Sequence, residues 1–354
     1  MDLLENLYNN KITFSPIFER KIKIENNYTF LYGPKFCGKT FLIYDFLKKN
    51  QDKEYLYIDF NDFRNYQNIA NLQSFIDKHN IKILVLENFN NNFELPKVDF
   101  IIITSQIPYK IDRFKYLKVL PLDFEEYILF DTKHQNITNS FNSFLKFGNL
   151  PEIIEYKDFK KHIRNEEIIK LQSTNPTTIE IIKLLIRSMG QNKSPFWLFN
   201  ILKKDIKISK DFFYKTFREL EDSHTIIRCE KFNQPKAVKK IFFYNHALID
   251  NVTYQKNFSY VFSNMVFLEL YHNNEDIFYL DGIDFYLPNS NSIIIAIPFL
   301  NQLFLSNITS KILKTIEKID IKEITIVTIS NSETIYIDNF ECEVLPFYEW
   351  ALGR

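Results

Sequence analysis

The run Gly33-Pro34-Lys35-Phe36-Cys37-Gly38-Lys39-Thr40 fits the spacing G-x-x-x-x-G-K-[ST]. That spacing suits one task, the cradling of a phosphate chain. Successive backbone N–H groups wrap the β-phosphate, and a helix opening near Gly38 turns its positive end toward the same charge. Lys39 would reach the β- and γ-phosphates, and the Thr40 hydroxyl would be a ligand of Mg²⁺. The chain holds only 6 glycines in 354 residues, and this loop takes two of them. Glycine is placed where the backbone turns sharply or approaches a ligand closely, so a glycine-poor chain gives the pattern more weight. All eight residues are therefore candidate contacts for ATP, with Cys37 a small filler in a variable position.

Such a loop needs a strand before it and a helix after it. Tyr28 to Tyr32 is a β-branched and aromatic run that predicts a strand. Thr40 to Lys49, with Phe41, Leu42, Tyr44, Phe46 and Leu47 apolar, predicts a helix. Further short apolar strands are expected at 54–60, 81–86, 98–103 and 117–120, separated by helical patterns. Fully apolar short strands of this kind argue for a parallel α/β sheet covered on both faces. Ligands of such sheets bind outside the carboxyl ends of the strands. The P-loop, the pair Glu87-Asn88 and the run Thr104-Ser105-Gln106 all fall there.

The sequence reads as three regions: a nucleotide-binding domain over 1–150, a helical linker and winged helix over 151–245, and a small α/β domain over 246–354. In the second region Ile179, Ile182, Leu185 and Ile186 repeat at helical spacing and stop at Gly190, a predicted C-cap. Ser194 with Pro195, and Ser209, cap two more helices, and the runs 225–229 and 238–244 form an expected β-hairpin. Over 176–245, fourteen Lys and Arg oppose seven acids; over 246–354, six bases face fourteen acids. The whole chain is neutral, with 44 basic and 44 acidic residues, so net charge names no partner. Three well-separated cysteines exclude a C-x-x-C pair and with it a zinc ribbon or disulfide framework. Six histidines show no ligand spacing. No apolar run has the length of a membrane span and no signal peptide is visible, so a cytoplasmic protein is expected.

Taken together, these motifs resemble the bacterial and archaeal AAA-superfamily ATPases that carry a P-loop domain, a winged helix and a C-terminal restriction-endonuclease-like domain. Gly33 to Thr40 matches their loop, with Lys35 in its basic position. Arg113 stands some eight residues before Pro121-Leu122-Asp123-Phe124-Glu125-Glu126, the family's "Pro-Leu-Ser-Phe-x-Glu" signature. Gly148-Asn149-Leu150-Pro151-Glu152 matches "Gly-Gly-x-Pro-Glu" with one substitution. The resemblance covers nearly the whole chain, specifically in its first two-thirds and weakly in its last. It implies bound ATP and Mg²⁺, with Ser105 (or its neighbours Thr104 and Gln106) as a γ-phosphate sensor. It also implies Arg113 as a charge-stabilising finger or nucleotide contact, against the plainer reading of a surface arginine paired with an acid.

The departures shape the expected function. Where the family ends an apolar strand in Asp-Glu, this chain has Glu87-Asn88. Glu87 can still help hold metal-bound water, but Asn88 cannot accept a proton. Losing the residue that activates water costs roughly 10²–10⁴ in rate. Asp59, at the end of the second strand, is the alternative base. In the last region Asp284 fits the first element of a nuclease site, yet Ala296 and Pro298 stand where Glu and Lys belong, so no nuclease activity is expected and Asp284 reads as a turn or strand-edge carboxylate. Lys210, Lys215 and Arg218 on the third helix, and Lys236, Lys239 and Lys240 on the wing, are candidate contacts to double-stranded DNA; the competing reading packs this basic face against the acidic last region. That acidic region is also a candidate surface for a protein partner. The expectation is an ATP-binding switch with weak hydrolysis. Its alternatives are an ATPase using a base other than position 88 and a non-catalytic interaction scaffold.

Overall fold

A strand apolar through its length must be covered on both faces, and Ile83-Leu84-Val85-Leu86, closed by Glu87, is such a strand: all five residues are buried. In a computed structural model, which describes residues 3–14, 19–62, 71–90, 93–273, 276–338 and 340–353, side chains alternate across this strand into two separate cores. Leu84 and Leu86 join Phe30, Leu56, Ile58, Ile101 and Ile103 on one face. Ile83 and Val85 join Leu31, Ile43 and Ile102 on the other. This is the signature of a parallel sheet sandwiched between layers.

The chain divides into two units, Met1–Leu120 and Pro121–Arg354. The first contains α1 (Leu3–Asn9), β1 (Tyr28–Tyr32), α2 (Lys39–Lys49), β2 (Tyr55–Asp59), α3 (Leu72–His79), β3 (Ile83–Glu87), β4 (Phe100–Ser105) and β5 (Lys115–Lys118). Its five strands lie in the order β2-β3-β4-β1-β5 and every pairing is parallel. This is the expected P-loop sheet, with strand limits shifted by one or two residues. The helix α1 has no counterpart in the sequence reading.

The second unit opens with α4 (Phe124–Phe130), α5 (Ile137–Phe147), α6 (Pro151–Glu155) and α7 (Asp158–Lys170). Next come α8 (Pro176–Arg187), α9 (Pro195–Asp205), α10 (Lys210–Asp222), β6 (Ile226–Lys231) and β7 (Lys240–Phe243). A 3-10 turn at His246–Asn251 leads into α11 (Phe258–His272), β8 (Phe278–Leu280), β9 (Ile283–Leu287), β10 (Ser292–Ala296) and α12 (Gln302–Ile316). The unit ends with β11 (Glu323–Thr328), β12 (Glu333–Ile337), β13 (Phe340–Pro346) and α13 (Phe347–Leu352). Ser194 and Ser209 cap α9 and α10 as read, each side chain accepting from the N–H three residues on. Gly190 does not cap α8: that helix ends at Arg187 with Ser188 as its C-cap, and the Gly190 N–H goes to Ile241 O at 2.7 Å. Its φ of +73° serves the turn that brings the chain to β7.

Two expected boundaries are not where the chain divides. Residues 121–150 fall in the second unit, where Leu122 N–H binds Asn149 O at 2.9 Å. The boundary at 245 is crossed by one mixed eight-stranded sheet, ordered β12-β13-β11-β10-β9-β8-β6-β7. The first hairpin strand, β6, pairs in parallel with β8 through Glu230 opposite Phe278, so the hairpin is continuous with the last region. Hydrogen bonding between strands far apart in sequence leaves no local signal, which is why composition suggested a break.

His246 is wholly buried, and its Nε2–H donates to Phe144 O at 3.0 Å. Burial holds its imidazole down to about 4, from an ordinary value of 6.5. A base depressed in the folded state contributes stability above its unfolded pKa, and this is lost as pH falls through that value toward the folded one. The second unit is therefore expected to lose about 3 kcal/mol between about pH 6.5 and pH 4 from this residue. Denaturant midpoints of the wild type and His246→Gln across that range check it: the wild-type curve falls more steeply.

Candidate nucleotide site

At the carboxyl end of β1 the chain must turn back into α2 within six residues. Gly33 has φ +141°, and a Cβ there would lie 2.1 Å from Val119 O at the end of the neighbouring edge strand. Gly38 has φ +99° at the N-cap of α2. Between them Phe36 takes φ +64°, a left-handed conformation uncommon for a non-glycine residue and one that functional loops tolerate. Gly33 N–H is held by Gln106 O at 3.2 Å.

The loop is also fastened from beneath. Arg20 is buried, and its guanidinium donates to Cys37 O and to Leu120 O, each at 3.0 Å. A trans peptide points its C=O and the following N–H in opposite directions. Fixing Cys37 O inward thus turns Gly38 N–H outward, where a phosphate would sit. No motif spacing flags Arg20: it lies thirteen residues before the loop, in a stretch without periodicity, and only the fold brings it there.

Lys39 is buried, and its ammonium donates to Gly33 O at 2.9 Å and Pro34 O at 2.7 Å, both in its own loop. Burial, and next the charge of Lys39, pull the Lys35 ammonium below the ordinary lysine value. Two ammonium groups on one loop make a site for an anion.

The Thr40 hydroxyl donates to Glu87 Oε1. Burial pushes the Glu87 carboxyl above the usual range, while the Thr40 bond and the Lys39 charge act against that. A buried carboxylate beside a hydroxyl is a hard-oxygen pair of the type Mg²⁺ takes when phosphates and water complete its shell. Thr40 and Glu87 thus fit the expected metal position. The ion, when bound, would neutralise phosphate charge. Among the described residues no group of three or more His, Cys, Asp or Glu could hold a metal by itself.

Asn88 follows with φ +55°, its N–H held by Thr104 Oγ1 at 2.9 Å and its Nδ2 donating to Asp59 Oδ1 at 2.8 Å. Asp59 stands opposite Glu87 in the β2–β3 register. Asp59, Glu87, Asn88 and Thr40 share the lining of a cavity of about 740 Å³ with Tyr44 and, from α1, Asn6 and Leu7. Thr104 is thereby committed to Asn88, while Ser105 ends β4 opposite Tyr32 at the rim of the loop.

Arg113 lies elsewhere. The chain leaves β4 at the carboxyl edge and must return to the amino edge before β5 can run parallel. Lys115 accordingly stands opposite Thr29, near the start of β1, and the Phe114 ring packs 5.6 Å from that of Tyr28. Arg113 is exposed in the preceding turn with φ +71°, at the amino end of the sheet, while the P-loop lies at its carboxyl end.

The candidate DNA contacts divide as well. Lys210, Lys215 and Arg218 are exposed on α10, with Lys215 3.9 Å from Glu219. On the hairpin Lys236 is exposed, while Lys239 and Lys240 are engaged within the fold. Lys239 is paired with Glu230, and Lys240 lies 3.3 Å from Asp284 Oδ1 with its side chain largely buried. Asp284 is then not a turn or edge carboxylate. It sits within β9, binding Lys240 with one oxygen and Ala296 N–H at 3.1 Å with the other.

Residues 25–103 match the family described as AAA domain. An uncharacterized protein of Methanocaldococcus jannaschii, MJ1544, is 26% identical over an alignment covering 95% of this chain and 91% of that one. The Walker-type ATPase PABY2304 of Pyrococcus abyssi aligns over 64% of this chain and 91% of its own, at 13% identity and a TM-score of 0.43. The Aeropyrum pernix ORC1 protein in complex with DNA aligns over 65% of this chain and 86% of its own, at 9% identity and a TM-score of 0.30. Likenesses this distant carry no ligand or partner across. Among the described residues, no helix is long and apolar enough to cross a membrane.

Proposed function

We propose that the first unit binds ATP with Mg²⁺ and acts as a nucleotide-dependent switch whose hydrolysis is slow. The observation that carries this reading is the loop geometry. Arg20 fixes one peptide, Lys39 waits on two loop carbonyls that it would exchange for phosphate oxygens, and Thr40 already touches the Glu87 carboxylate. Slow hydrolysis follows from Asn88, an amide whose nitrogen is committed to Asp59. ATP affinity and phosphate release measured on one purified sample test both halves: tight binding with little turnover is expected.

A second reading is favoured by Asp59 itself, a carboxylate that lines the cavity in register with Glu87. If it activates water, Asp59→Asn lowers steady-state phosphate release by roughly 10²–10⁴ while leaving ATP affinity nearly unchanged. Equal turnover in wild type and variant removes Asp59 from the mechanism. Association with duplex DNA rests on the three exposed side chains of α10, Lys210, Lys215 and Arg218, in a segment of three helices and a hairpin. The acidic last region is a second surface, suited to a basic protein partner.

A further inference from the structure

The second unit holds a cavity of about 530 Å³ formed by α11, α12, β9, β10 and the adjoining turns. Its polar lining brings two lysines, Lys240 and Lys311, and two acids, Asp281 and Asp284, together with the hydroxyls of Ser259, Tyr260, Ser263 and Tyr279. Lys240 enters it paired with Asp284 at 3.3 Å, its ammonium 5.3 Å above the Tyr279 ring. Lys311 lines it from α12 and has no ion pair among the described residues. The Lys311 stem lies on Gly282, where a Cβ would come within 2.5 Å of Lys311 Cδ; the turn is glycine, at φ +82°, so that this lysine can lie flat across it.

Ser263 lines the cavity from the middle of α11, only 4% exposed, and offers it a hydroxyl. Flat walls complete the site: Tyr260 and Phe299 are both exposed where they border it, at 39% and 60%.

We infer that this cavity binds a free phosphorylated nucleoside, its phosphate on Lys311, Lys240 and Ser263 and its base against Tyr260 or Phe299. Ammonium and hydroxyl donors suit a phosphate. Exposed aromatic faces accept any base by stacking. The inference is independent of the P-loop reading.

The experiment uses the full chain carrying Lys39→Ala, which silences the P-loop. AMP, GMP, CMP and UMP are each titrated calorimetrically, beside inorganic phosphate and adenosine. At least one monophosphate is expected to bind, phosphate to compete with it, and adenosine to bind more weakly. Lys311→Gln, at an exposed position, and Ser263→Ala should each weaken binding about tenfold with the melting temperature retained. The inference is overturned if no monophosphate binds at millimolar concentration, or if binding is the same in both folded variants.

Discussion

Replacing Lys39 with alanine is expected to weaken ATP binding by about 100-fold or more, since each charge-assisted bond to phosphate contributes about 1.5–3 kcal/mol and Lys39 would make at least two. In the nucleotide-free protein the same ammonium donates to Gly33 O and Pro34 O. Alanine therefore also leaves two loop carbonyls to water, and a small loss of stability accompanies the loss of affinity. A fluorescent ATP analogue reads the affinity, and the melting temperature without nucleotide separates the two effects. Wild-type affinity in a folded Lys39→Ala protein would remove the P-loop from the account.

The second large effect is expected at Arg20, a residue outside every motif. Arg20→Ala leaves Cys37 O and Leu120 O buried without their donor, at about 1–3 kcal/mol each, so a loss of about 2–6 kcal/mol is expected in denaturant unfolding. Freed from Arg20, the Cys37–Gly38 peptide no longer holds its N–H toward the phosphate. ATP affinity should then fall even under conditions where the variant is folded. Lys at position 20 restores the charge but not the two-pronged geometry, so it should recover only part of either loss. A structural role alone would show in the unfolding curve and leave affinity in the folded protein untouched.

What was legible in the sequence was whatever obeys local rules. The apolar runs became β1, β3 and β4, central strands covered on both faces, while the edge strands β2 and β5 are only partly apolar and partly buried. The caps Ser194 and Ser209 followed from side-chain hydrogen bonds within three residues. The loop from Gly33 to Thr40 was readable because its chemistry fixes its spacing. What was not legible depends on distant chain segments meeting. Arg20 reaches the loop only through the fold. Lys240 looked like a free basic side chain until β7 laid it beside Asp284 of β9. Arg113 looked close to the loop because sequence spacing does not show which edge of a parallel sheet a turn occupies. The hairpin looked like part of a separate domain because the pairing of Glu230 with Phe278 spans 48 residues.

The central claim is that this loop holds a nucleotide together with Mg²⁺ through Thr40 and Glu87. A ligand that binds only the native state must stabilise it, by about 2.7 kcal/mol at one hundred times its dissociation constant. The most direct measurement is the melting temperature of the wild-type chain with ATP, with and without Mg²⁺. A rise of several degrees with both, smaller with ATP alone and absent in Lys39→Ala, is the predicted result; an unchanged melting temperature with saturating ATP and Mg²⁺ would contradict it.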